Sequence, residues 1–172
     1  MKFVQLSGDL RLIVFTDASF ANNENYTSQI RFVIVLTDEA KNANIVHYSS
    51  TKCKRVTRSV LASELYGMAH GFDYGCVIKS TLERMLQRPI PLIIATDSNS
   101  LYECLVKLGT TVEKRLIVDI MCLRQAYERR LIAEIMWVEG GSNPVDVITK
   151  SNACDALRKL IDTNKLELKT GK

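Results

Sequence analysis

Two apolar runs that each stop on Thr-Asp constrain this chain more than any other feature. They are LRLIVFTD, ending at Asp17, and PLIIATD, ending at Asp97. Continuous aliphatic stretches of this length read as strands covered on both faces, as in a sheet with helices on each side. Each run delivers a carboxylate to the C-terminal tip of a buried strand. The chain must therefore fold around a sheet whose core strands carry acidic ends.

The other elements fall around these two. SFANNENYTS is polar and turn-rich and reads as a loop. QIRFVIVLTD and ANIVHYSS read as second and third strands joined by DEAKNA, a hairpin connection, so the first three strands form an antiparallel meander. The period then changes. From about Thr57 to Arg88 apolar residues recur at helical spacing, with Gly67, Gly71 and Gly75 marking a bend or a close packing contact, until Pro89 and Pro91 end the helix. After the PLIIATD strand, SNSLYECLVKL is a short helix, VEKRLIVDIMCLRQAYERR a long one, and LIAEIMWVEG a fifth strand. Asn143 followed by Pro144 is a strong helix-start signal, and ACDALRKLID is a last helix. The expected architecture is α/β: a mixed five-stranded sheet, three antiparallel strands plus two parallel, with helices on both faces. The 172 residues are expected to form a single domain, with a core over about 10–150 and a C-terminal helix and tail over 151–172.

Two further acids join the strand tips. Glu64 lies in the helical pattern LASELYGMA, close to the face carrying Leu61, Leu65 and Met68; Asp146 lies in NPVDVITK, in the first turn of the predicted helix. Each alone has an ordinary explanation, as a turn residue, a solvated helix residue or a helix-terminal charge. Four acids in this order and setting point to a cluster that holds divalent cations. Such a cluster needs its ions, because each close carboxylate pair costs about 4 kcal/mol at a surface-like dielectric.

Composition narrows the remaining classes. Hydrophobic residues make up 47% of the chain, enough for a real core, and no apolar run is long enough to span a bilayer. The start MKFVQLSGDL has no signal-peptide pattern, and the five cysteines include no CxxC pair, so reduced thiols in an intracellular protein are expected. Cys76, Cys104 and Cys122 read as small core residues, and Trp137 in the fifth strand reads as core. Net charge is only +4, but Lys52, Lys54, Arg55 and Arg58 crowd the segment before the Glu64 helix, a block suited to phosphates. Arg124, Arg129 and Arg130 read instead as a solvated helix end.

The segments FTDASFANN, HYSSTKCKRVTRSVLASELYGMAHG, ATDSNSLYE and MWVEGGSNPVDVITK together resemble the ribonuclease H domain of copia-type (Ty1/copia, Pseudoviridae) retrotransposon polyproteins, of a fungal element. The resemblance spans roughly residues 10–150 and implies the ribonuclease H-like fold. It implies that Asp17, Glu64, Asp97 and Asp146 are the catalytic set and hold two Mg²⁺ ions, with Mn²⁺ as a substitute. Asp17 would bridge both ions, with Glu64 and Asp97 on one and Asp146 on the other. The implied reaction is endonucleolytic hydrolysis of the RNA strand of an RNA–DNA hybrid, one ion activating water and the other stabilising the leaving 3′ oxygen. Hard oxygen donors suit that ion, and His/Cys sets would not.

Polar residues near the carboxylates, Ser19, Asn22, Asn23, Ser98 and Asn99, would reach the ribose of the RNA strand, and the Lys52 to Arg58 block would grip phosphates. The expected partner is a reverse transcriptase domain of the same polyprotein, in a cytoplasmic virus-like particle or the nucleus, with no membrane. The loop EGGSNP lacks the histidine that many ribonuclease H domains carry before the last aspartate; His47 and His70 lie elsewhere and read as structural. Two rivals stand beside this expectation. One is an Asp17, Asp97, Glu134 set with integrase-like order. The other is a domain that kept the fold but lost catalysis and serves as a nucleic-acid-binding or structural module. The metal-site expectation requires the acidic tips to converge in one pocket, untied by arginine or lysine.

Overall fold

A computed structural model of the chain describes residues 2–21, 23, 26–107, 111, 113–146 and 155–170. Five strands form one sheet in the order β3-β2-β1-β4-β5. They are β1 (Arg11–Ser19), β2 (Gln29–Thr37), β3 (Ala43–Lys52), β4 (Leu92–Thr96) and β5 (Glu134–Trp137). β1–β2 and β2–β3 are antiparallel; β1–β4 and β4–β5 are parallel. The helices are α1 (Val60–Leu86), α2 (Asn99–Val106), α3 (Ile117–Glu128) and α4 (Asp155–Thr163). This is the mixed five-stranded α/β arrangement that the sequence pattern implies.

Strand periodicity divides the core into two layers. Leu12, Val14, Phe32, Ile34, Leu92 and Ile94 pack with buried residues of α1, α2 and α3. Their alternates Ile13, Phe15, Val33, Val35, Ile93 and Ala95 pack on the opposite face with Val138, Val145 and Leu160 of α4. Burial of both faces is why β1 and β4 show no polar alternation.

The glycines of α1 serve packing. A Cβ on Gly71 would stand 2.9 Å from side-chain carbons of both Thr16 and Val14, and one on Gly75 would stand 2.9 Å from Val14. Spaced four apart, Gly67, Gly71 and Gly75 lie on one helix face and let α1 settle directly onto β1.

Several boundaries differ from the sequence pattern. α1 begins at Val60 because Ser59 is its N-cap, its Oγ accepting from the Ala62 amide at 3.1 Å. The long helix after β4 divides into a 3-10 turn at Lys114–Leu116 and α3. The helix predicted after Asn143 falls mostly on residues 147–154, outside the described residues; Pro144 and Val145 form a turn. Cys104 is buried and Cys76 half-buried, but Cys122 is exposed, because the core face of α3 is carried by Ile120, Leu123 and Ala126. Cys154 lies outside the described residues. Arg124 is half-buried rather than part of a solvated helix end, and its guanidinium donates to the Cys104 carbonyl in the last turn of α2. Among the described residues no helix is long and apolar enough to cross a membrane.

Candidate active site

The parallel register of β1 and β4 pairs Thr16 with Thr96, so the next residues, Asp17 and Asp97, emerge side by side at one end of the sheet. Glu64 reaches the same point from the first turns of α1, held there by the close packing of Gly67 against the Asp17 carbonyl. One carboxylate oxygen from each of Asp17, Glu64 and Asp97 lies within 4.8 Å of the others. Asp146 is not part of that tight group, but its charge is felt by both Asp17 and Asp97.

Burial makes this concentration of acid costly. Glu64, 6% exposed, has its pKa pushed up to about 9, by desolvation first and then by repulsion from Asp17 and Asp97. Asp97 is raised to about 6, again by burial first and then by Asp17. Asp17 is raised by burial against the lowering pull of Arg31. Glu64 Oε2 is buried with no hydrogen-bond partner, an orphaned polar atom on one of the three clustered carboxyl groups. Neighbouring oxygens on one Mg²⁺ stand about 3 Å apart and opposed ones about 4 Å, so the three carboxylates would have to draw closer than 4.8 Å to share one ion.

Three residues of the site went unread in the sequence. Arg31, 3% exposed, stands directly across β2 from Asp17 and donates from Nη1 to Asp17 Oδ2 at 3.1 Å. The acidic cluster is therefore not free of basic partners, contrary to expectation. A lone charge inside the apolar run QIRFVIVL is the signal that could have flagged it, since a buried charge needs a partner. Asn143, fully buried, donates from Nδ2 to the Thr16 carbonyl at 3.2 Å and hydrogen-bonds the Asp97 carboxylate. It also caps the following turn, accepting from the Val145 amide at 3.2 Å. Trp137 is only half-buried and is not simply core: its Nε1 donates to the Asp97 carbonyl at 3.1 Å.

The remaining candidates are placed unevenly. Ser19 accepts from Arg31 Nη2 at 3.1 Å and so belongs to the edge of the cluster. Ser98 is the N-cap of α2. Asn99 is exposed beside it. Asn23 is committed to its own loop, donating to the Thr27 carbonyl at 3.0 Å. Asn22 lies outside the described residues. Lys52, Lys54, Arg55 and Arg58 are all exposed on the approach to α1. Arg55 also pairs with Asp119 at 3.4 Å and sits over the Tyr66 ring. His47 stacks on Tyr74, and His70 is exposed. Glu134 is paired in register with Ile93, at the far end of β4 from Asp97, so the integrase-like set does not assemble.

The sheet order and its mix of antiparallel and parallel strands give the chain a ribonuclease H-like fold. Solved structures of that fold superpose on the chain. The N-terminal RNase H domain of a Mycobacterium tuberculosis protein matches with a TM-score of 0.56 at 16% identity, covering 90% of this chain and 99% of that one. LC11-RNase H1 in complex with an RNA/DNA hybrid matches with a TM-score of 0.54 at 16% identity, covering 75% and 84%. The RNase H domain of prototype foamy virus matches with a TM-score of 0.51 at 14% identity, covering 92% and 93%. No protein-family model matches the chain, and a comparison with curated proteins finds no match.

Proposed function

We propose that the chain is a ribonuclease H that hydrolyses the RNA strand of RNA–DNA hybrids with divalent metal, as one domain spanning the whole sequence. The observation that carries the proposal is the convergence of Asp17, Glu64 and Asp97 oxygens within 4.8 Å, with Glu64 Oε2 unpartnered, at the tips of the parallel strands. Asp17, Glu64 and Asp97 would hold the metal, with Asp146 beside them. Bound divalent ions supply an activated water and charge neutralisation at the leaving oxygen. Asn143 fixes the Asp97 carboxylate, and Trp137 fixes its backbone. The exposed Lys52 to Arg58 segment leads directly into α1 and would meet the phosphates of the duplex, while Ser19, Ser98 and Asn99 lie close enough in sequence to the acids to read ribose. The motif order supports a copia-type retrotransposon origin, of a fungal element. That origin makes a reverse transcriptase domain the natural neighbour, in a virus-like particle or the nucleus.

The test is cleavage of a labelled hybrid with Mg²⁺, Mn²⁺ or chelator, with single-stranded RNA, duplex RNA and duplex DNA as controls. Metal-dependent cleavage confined to the RNA of the hybrid is expected, abolished by Asp17→Asn or Glu64→Gln. Retained cleavage in either folded variant overturns the assignment. The Asp17–Arg31 pair favours a second reading, a catalytically weak or inactive module that binds nucleic acid. In that case hybrid binding persists without cleavage at any metal concentration.

A further inference from the structure

We propose that Arg31 is a resident counter-cation of the acidic cluster that sets its divalent-metal affinity, competing with the metal for the charge of Asp17. The inference rests on the metal-site reading given above and specifies how this chain's site is regulated by its own scaffold. Arg31 lies in the middle of β2, between Ile30 and Phe32, and the β1–β2 register fixes it opposite Asp17. Its side chain is 4% exposed. Nη1 donates to Asp17 Oδ2 and Nη2 to Ser19 Oγ, each at 3.1 Å, while Nε finds no partner.

Two simpler roles fit poorly. A phosphate-binding arginine must reach solvent, and this one is enclosed with both terminal nitrogens engaged inside the protein. An arginine kept only for stability is an expensive choice, because desolvating an ion pair in a strand core offsets most of what the pair contributes, and an aliphatic residue would fill the position at lower cost. What the guanidinium does uniquely is carry charge to a cluster of buried carboxylates. Its field reaches Glu64 as well as Asp17. An incoming divalent ion meets one Asp17 oxygen already engaged and a positive charge beside it. In a partly buried site that repulsion is weakly screened. Arg31 is thus a positioning residue, acting through Asp17.

The experiment is calorimetric titration of the full chain with MnCl₂, without nucleic acid, for wild type, Arg31→Met, Arg31→Lys and Asp97→Asn. Removing a unit charge from beside a divalent ion should tighten binding about tenfold or more in Arg31→Met. Arg31→Lys should stay within about twofold of wild type, and Asp97→Asn should lose binding. Arg31→Met binding no tighter than wild type overturns the inference and leaves the metal site standing. Equal tightening in Arg31→Lys overturns it too, since the charge is then not the cause. If Arg31→Met does not fold alone, saturating Mn²⁺ should restore a cooperative melt, the ion replacing the guanidinium; a chain that stays unfolded overturns the inference. Folded wild type and Arg31→Met that both fail to bind Mn²⁺ sink the metal-site reading and this inference together. Binding by Arg31→Met alone supports the inference in its strongest form.

Discussion

Glu64→Gln gives the sharpest physical test of the site, because the substitution keeps the shape and removes only the ability to titrate. Glu64 titrates near 4.5 in an unfolded chain and is pushed up to about 9 in the fold. A carboxyl with a raised folded pKa leaves stability intact below its unfolded value and erodes it as pH rises towards the folded one. Below pH 4.5 both states hold the proton. Above it the unfolded chain releases the proton while the fold retains it, so the unfolded state gains until about pH 9. From pH 4.5 to pH 7 the cost is about 2.5 pH units at about 1.4 kcal/mol each, or roughly 3–4 kcal/mol. For a chain of this size that corresponds to a melting-temperature change on the order of 10 °C. The assay is a set of thermal melts in chelator from pH 4.5 to 9 for wild type and Glu64→Gln. Wild type should lose stability relative to the variant across that window, and saturating Mn²⁺ should flatten the wild-type slope because the ion takes the place of the proton. Parallel pH profiles for the two proteins would refute the claim that burial and neighbouring acids strain Glu64.

Two other outcomes test the packing and the nucleic-acid face. Gly71→Ala should destabilise the fold by about 1–2 kcal/mol in denaturant titration, because overpacking against β-branched Thr16 and Val14 outweighs the roughly 1 kcal/mol that alanine contributes to a helix; a variant as stable as wild type would show that α1 can shift off β1 freely. Lys52→Ala combined with Lys54→Ala should weaken hybrid binding and flatten its salt dependence by about 0.9 in log–log slope per lost phosphate contact, measured by fluorescence anisotropy; an unchanged slope removes these lysines from the interface.

The site was partly legible along the chain. Asp17 and Asp97 stand out because each follows an apolar run, and Glu64 because it sits near the apolar stripe of a helix. Those are nearest-neighbour signals, written in residues a few positions apart. Arg31 was not read, although its isolation among Ile30, Phe32 and Val33 marked it as a charge in need of a partner. Trp137 and Asn143 looked like core and cap because their second role, steadying Asp97, depends on contacts across about forty residues of chain.

The sequence by itself determined that five strands and several helices would form, which strands are covered on both faces, and that acids end two of them. Tertiary structure alone decided that Thr16 aligns with Thr96, that Arg31 faces Asp17, and that the glycine face of α1 presses Glu64 into the same pocket. The physical reason is that periodicity is a local property, fixed by which faces meet water. Register and helix docking are settled by packing between residues far apart in the chain, and a one-residue slip in strand register would turn Asp17 or Arg31 to the other face of the sheet.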